Sequence, residues 1–171
     1  MAALRLGLIM LLAGASNAHA NPQEAWIRTT KADPALLCSE LQSSFPKKLS
    51  AAVALGSLKN QAVEPAVEYC EPENTCEIRT LDFPGLSARL LVTKKSQDIS
   101  VLTLKVNEAR WRLFRKIQMG ETLSSVGRKF GVSINSRMPS PIKLLGECAG
   151  LVLGHSNGRV TSIDVDCQAC G

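Results

Sequence analysis

The chain has 171 residues, 45% of them apolar and 4% aromatic, with 20 basic against 15 acidic side chains and a formal charge of +5. That mixture carries too much apolar content for a disordered chain, and the length suits one ordinary domain or two small ones. The positive excess is too small and too scattered for a nucleic-acid footprint.

In chain order, Arg5 supplies a short positive start, Leu6 to Ala13 is a near-continuous apolar run, and Ala18-His19-Ala20 is a small-x-small cleavage site. Residues 1–20 therefore read as a secretory signal peptide. A membrane anchor needs about 20 apolar residues in a row, and here Ser16, Asn17 and His19 interrupt a shorter run. No later stretch reads as a transmembrane segment. The expectation is a periplasmic protein, with secretion as the alternative, made of a single domain over residues 21–171.

Residues 21–32 are polar and read as mobile. Asp33-Pro34 opens a helix, with Asp as N-cap and Pro at the first helical position. Leu37, Leu41 and Phe45 recur at helical spacing until Pro46 stops it. Leu49 to Leu58 fits helix or strand. Residues 60–77 hold Glu64, Glu68, Glu71, Glu73 and Glu77 and read as an acidic connecting loop. The period then changes. Ile78 to Leu81 and Leu86 to Thr93 alternate, and Ile99 to Val106 is the return strand. Trp111, Leu113 and Ile117 alternate loosely with Arg110, Arg112, Arg115 and Lys116 in a further strand-like stretch. Thr122 caps a short helix carrying Leu123, Val126 and Phe130, closed by Gly131. Residues 144–153 and 160–165 form a last hairpin turned by Ser156-Asn157-Gly158. The order strands, helix, strands predicts an α+β fold: an antiparallel sheet with helices packed on one face, stapled by disulfides.

Six cysteines, Cys38, Cys70, Cys76, Cys148, Cys167 and Cys170, form an even set in a chain marked for export. Such a set reads as disulfides, for which 15 pairings exist. Cys70 and Cys76 bracket a turn-rich loop and are expected to pair. Cys148 and Cys167 flank the last hairpin and are the next expected pair, which leaves Cys38 for Cys170. Cys167-Gln168-Ala169-Cys170 also has the spacing of a redox dithiol, but that chemistry needs a following helix N-terminus to lower a thiol pKa. Structural zinc needs four placed ligands, and one C-x-x-C with one histidine beyond the leader does not supply them. No metal and no cofactor is expected.

Catalytic sets are equally thin. His155 is predicted in a hairpin turn without a triad pattern around it. Ser44-Phe45-Pro46-Lys47 and Ser140-Pro141-Ile142-Lys143 have S-x-x-K spacing, but each contains a proline that spoils the helix this motif requires. Asp164, Asp166 and the glutamates could pair for glycoside chemistry, yet the chain is poor in the aromatic platforms that hold sugars. The chain reads as a non-enzyme. Two features read as partner-binding instead. Arg110, Trp111, Arg112 and Arg115 combine the residue types that dominate protein interfaces. Glu71 and Glu73 lie in a loop that a Cys70–Cys76 bridge would rigidify, and preorganisation lowers the entropic cost of binding.

The run Ile117-Gln118-Met119-Gly120-Glu121-Thr122-Leu123-Ser124-Ser125-Val126, then Phe130-Gly131, Leu151-Val152-Leu153 and Asn157-Gly158-Arg159-Val160-Thr161-Ser162-Ile163, resembles small envelope proteins of the SmpA/OmlA (BamE-like) type. That resemblance covers residues 117–171. It implies the helix-on-sheet architecture shared with beta-lactamase-inhibitor-like modules, and a binding role. The leading expectation is a protein-binding module, an inhibitor or immunity protein against an envelope-targeting enzyme. The alternatives are an accessory factor in outer-membrane assembly, which the resemblance implies, and a thiol-disulfide-active protein using the terminal C-x-x-C.

Overall fold

Tight two-residue turns organise the sheet, and their residues explain why. Strands β3 (Cys76–Phe83) and β4 (Leu86–Thr93) are joined by Pro84-Gly85, where Gly85 has φ +75°. Proline followed by a glycine of positive φ suits a type II turn. Strands β7 (Gly150–Ser156) and β8 (Arg159–Asp166) are joined by Asn157-Gly158, both at positive φ. That is the type I′ preference of a right-twisted hairpin.

The computed structural model describes residues 26–66, 69–70, 75–147 and 149–168. The expected signal peptide, Glu71, Glu73, Cys148 and Cys170 lie outside the described residues. The remaining elements are β1 (Ile27–Arg28), helix α1 (Ala35–Ser44), α2 (Leu49–Val53), β2 (Asn60–Pro65), β5 (Ile99–Val106), α3 (Leu123–Phe130) and β6 (Ile142–Leu145). The eight strands among the described residues join one sheet in the order β1-β6-β7-β8-β5-β4-β3-β2.

This corrects the expected architecture. The sheet is mixed, because β1 runs parallel to β6, with Ile27 beside Leu144. The helices are three short pieces attached to an eight-stranded sheet, and an antiparallel sheet carrying helices on one face is not what forms. Residues 21–32 were expected to be mobile, but Ile27 packs against the core and draws its segment onto the sheet. The acidic stretch contributes strand β2, paired with β3 from Asn60↔Asp82 to Pro65↔Glu77. The ambiguous stretch after Leu49 begins as helix α2.

Helix α1 begins one residue later than expected, with Pro34 and not Asp33 at its N-cap; one Asp33 carboxylate oxygen still accepts from the Ala35 N–H at 2.8 Å, and the other accepts from the Glu147 N–H at 2.8 Å. The Thr122 hydroxyl accepts from the Ser125 N–H at the start of α3, and Gly131 closes that helix at φ +69°. The main core joins Leu37 and Leu41 of α1, Val126 and Phe130 of α3, and alternate residues of the strands such as Leu90, Leu104, Leu153 and Val165. Leu81 and Phe83 of β3 belong to that cluster, while Cys76 and Ile78 are buried in a second cluster with Ala66 and Leu102. Positions 78 and 81 point to opposite faces of a strand, so the second cluster sits on the other side of the sheet.

Two disulfides lie among the described residues. Cys70–Cys76 forms as expected. Cys167 bonds Cys38, with Cα atoms 5.6 Å apart, which overturns both the Cys148–Cys167 and the Cys38–Cys170 assignments. The reason is the α1–β8 contact: α1 lies against β5 and β8, so Cys38 meets the residue that follows β8.

Candidate binding surface

The cationic segment after β5 is an irregular loop, not a strand. A carbonyl and a carboxylate on neighbouring elements hold it in that form. The Trp111 indole N–H donates to the Pro84 carbonyl at 2.8 Å, and the Arg110 guanidinium donates to the same oxygen. The Trp111 ring packs against Phe83, with centroids 5.7 Å apart, and Arg110 lies 5.2 Å from the Trp111 ring centre. Arg110 also pairs with Glu108 at 2.8 Å. Further along, the Arg115 N–H donates to the Glu40 carboxylate of α1 at 2.6 Å. Phe114 and Ile117 are buried. Lys129 of α3 donates to the Lys116 carbonyl at 2.6 Å.

Arg110 and Trp111 are therefore largely occupied in holding the loop. Arg112, Arg115 and Lys116 have exposed side chains and no ion pair among the described residues. Beside them opens a cleft of about 190 Å³ lined by Trp111, Arg112, Phe114, Ile117, Met119 and Ile163. Apolar side chains and the cationic Arg112 line it together.

The lower edge of the loop is tied by Glu121. Burial pushes its carboxyl up, but hydrogen bonds from Lys129 and Ser125 and from the Gln118 N–H outweigh that and hold it below the usual carboxylate value. The Lys129 contact is 2.5 Å and the Ser125 contact 2.6 Å.

The second expected feature is only partly described. Glu64 pairs with Arg89 at 3.0 Å and Glu77 pairs with Arg79, so those two carboxylates are engaged on the sheet. Ala66 and the Cys70–Cys76 bridge fold over the second apolar cluster. Glu71 and Glu73 lie outside the described residues.

Register places Asp164, weighed above for glycoside chemistry, beside residues that the sequence did not single out. Lys105 stands opposite Asp164 across β5 and β8. Burial raises the Asp164 carboxyl above its ordinary value; Lys105 opposes this and Asp166 adds to it. Trp26 packs over Gly150, and Lys143 lies 5.6 Å from its ring centre. The signal for Trp26 was a single aromatic beside Ile27 in a polar stretch, too little to place it.

The chemistry weighed from sequence is dispersed. His155 lies on β7, not in the turn, and its N–H donates to the Ser140 hydroxyl at 3.0 Å. Among the described residues no carboxylate or hydroxyl bonds its ring nitrogens, whereas a histidine base is oriented by such a partner. Ser44 donates to the Glu40 carbonyl within α1. Cys167 is bonded to Cys38, so the C-x-x-C does not close on itself. Among the described residues no three His, Cys, Asp or Glu converge as a metal site. No described helix is long and apolar enough to cross a membrane.

Set against known protein families, characterised proteins and solved structures, the chain matches none.

Proposed function

We propose that this is an exported, non-enzymatic module that binds another protein through the loop around Trp111. The observation that carries this reading is the geometry of that loop. It is irregular yet pinned by the Pro84 carbonyl, the Glu40 carboxylate and Lys129. It presents exposed Arg112, Arg115 and Lys116, with Arg112 and Trp111 also lining the neighbouring cleft. A loop already held in place loses little entropy on binding, and aromatic and arginine side chains supply most interface energy. Its cations suit a partner whose contacting surface is acidic, with one apolar side chain seated in the cleft. Two disulfides and the reading of residues 1–20 as a signal peptide support an oxidising compartment, the periplasm in this proposal. An inhibitor or immunity role fits a small, cross-linked binder of this kind.

The test is a photo-crosslinking residue at Gln118, beside the cleft, in the cell that exports the chain. One discrete protein adduct is expected, and Arg112→Glu with Arg115→Glu should abolish it while leaving the thermal midpoint unchanged. An absent adduct, or one that survives the double charge reversal, would overturn the proposal.

A further inference from the structure

The two ends of the sheet are finished differently. At one end β1 has two residues, too short to template another strand. At the other end β2 runs for six residues, all of them exposed, with Val63 at 54%. Natural edge strands are normally blunted by shortness, charge, proline or a bulge. Here Asn60-Gln61-Ala62-Val63 carries no charge, Glu64 is drawn aside to Arg89, and Pro65 stands only at the end. Proline has no N–H to give the ladder and is tolerated where that position faces away from the sheet. Alternation then assigns the outward set: Gln61 and Val63 share the outward orientation of Pro65. Ala66 turns away from this edge to pack with Ile78 and Leu102, and among the described residues no strand pairs with the outer side of β2.

We propose that β2 pairs antiparallel with β2 of a second copy of this chain, about a two-fold axis through Ala62. The strand is self-complementary in that register. Directly opposed residues on antiparallel strands share a face, so Ala62 meets the second copy's Ala62. Asn60 stands opposite the second copy's Glu64, so no like charges oppose one another. Gln61 and Val63 of each copy exchange N–H and C=O bonds with Val63 and Gln61 of the other. A single pair of short strands falls at the small end of specific interfaces, so the dimer is reversible and dependent on concentration.

Sedimentation equilibrium over roughly 10 µM to 1 mM, bracketing the affinities such small interfaces give, tests this on the full exported chain. Wild type should pass from monomer to dimer. Ala62→Lys and Ala62→Glu each set like charges face to face on the axis, and each should weaken dimerisation at least tenfold. An equal mixture of the two variants should recover it, because lysine then faces glutamate. Ala62 is exposed, so the thermal midpoint of both variants should match wild type. A wild-type chain that stays monomeric would overturn the inference. So would a dimer indifferent to Ala62→Lys, or variants that fail to recombine.

Discussion

Cys38 and Cys167 are bonded across 129 residues of sequence, tying α1 to the end of β8. In the chain-entropy treatment a loop of that size contributes about 5 kcal/mol, against about 2 kcal/mol for the six-residue separation of Cys70 and Cys76. The replacement Cys38→Ala with Cys167→Ala should therefore lower the thermal midpoint much further than Cys70→Ala with Cys76→Ala. Differential scanning calorimetry of the two variants checks this; equal losses would show that loop size is not what matters here.

With those four cysteines paired, Cys148 and Cys170 remain, both outside the described residues. An even set in a chain exported as proposed predicts that they join each other. A non-reducing peptide map should contain a Cys148–Cys170 species and no Cys148–Cys167 species.

The indole hydrogen bond to Pro84 predicts how the binding loop responds to change. Trp111→Phe keeps the ring against Phe83 but removes one N–H···O bond, a net loss of about 1 kcal/mol. The larger effect should be local. Hydrogen exchange of residues 108–119 should accelerate while that of β4 and β5 stays at the wild-type rate. Uniform acceleration across the sheet would mean that Trp111 serves the global fold and not the loop.

Asp164 and Glu121 titrate with opposite consequences. The Asp164 carboxyl is raised by burial. Its contribution to stability is full below the unfolded-state value and is lost as pH rises through the folded value. Asp164→Asn should therefore stabilise the protein at neutral pH and lose that advantage in acid. For Glu121, burial is outweighed by the Lys129 and Ser125 hydrogen bonds, so its folded value is lowered. Its contribution is present above the unfolded value and disappears as pH falls through the folded one. Glu121→Gln should destabilise at neutral pH and match wild type in strong acid. Urea unfolding of both variants across pH 2–8 should show the two differences with opposite sign.

Thr122 offers a control on local sequence signals. Its hydroxyl accepts from the Ser125 N–H, so Thr122→Ala should cost about 1 kcal/mol by removing an N-cap. Chemical denaturation measures it directly, and no change would mean that the cap is dispensable once α3 is packed.

The elements legible in the sequence share a physical character: their signals are local. Thr122 and Gly131 bracket α3 because a hydroxyl can satisfy an orphan N–H and glycine tolerates positive φ. Asn157-Gly158 turns β7 into β8 for the same stereochemical reason. Alternation at Leu86, Ala88, Leu90 and Val92 announces a strand with one face in the core. Of the expected binding residues, Arg112 and Arg115 emerge as exposed cations without an ion pair among the described residues, while Arg110 and Trp111 both bond the Pro84 carbonyl. Glu108, two residues before it, gives Arg110 a local ion-pair partner, but no local residue supplies the backbone oxygen that it also bonds. The deciding acceptor is a carbonyl 26 residues away in sequence.

The sequence by itself determined where helices are capped, where hairpins turn and which strand positions face the core, because those choices depend on a few neighbouring residues. Only the tertiary structure decided that Cys167 meets Cys38, that Ile27 adds a parallel strand to β6, and that residues 110–116 leave the sheet. Each of these joins groups far apart in sequence. Their meeting depends on how the whole sheet and its helices come together, which no short stretch of residues encodes.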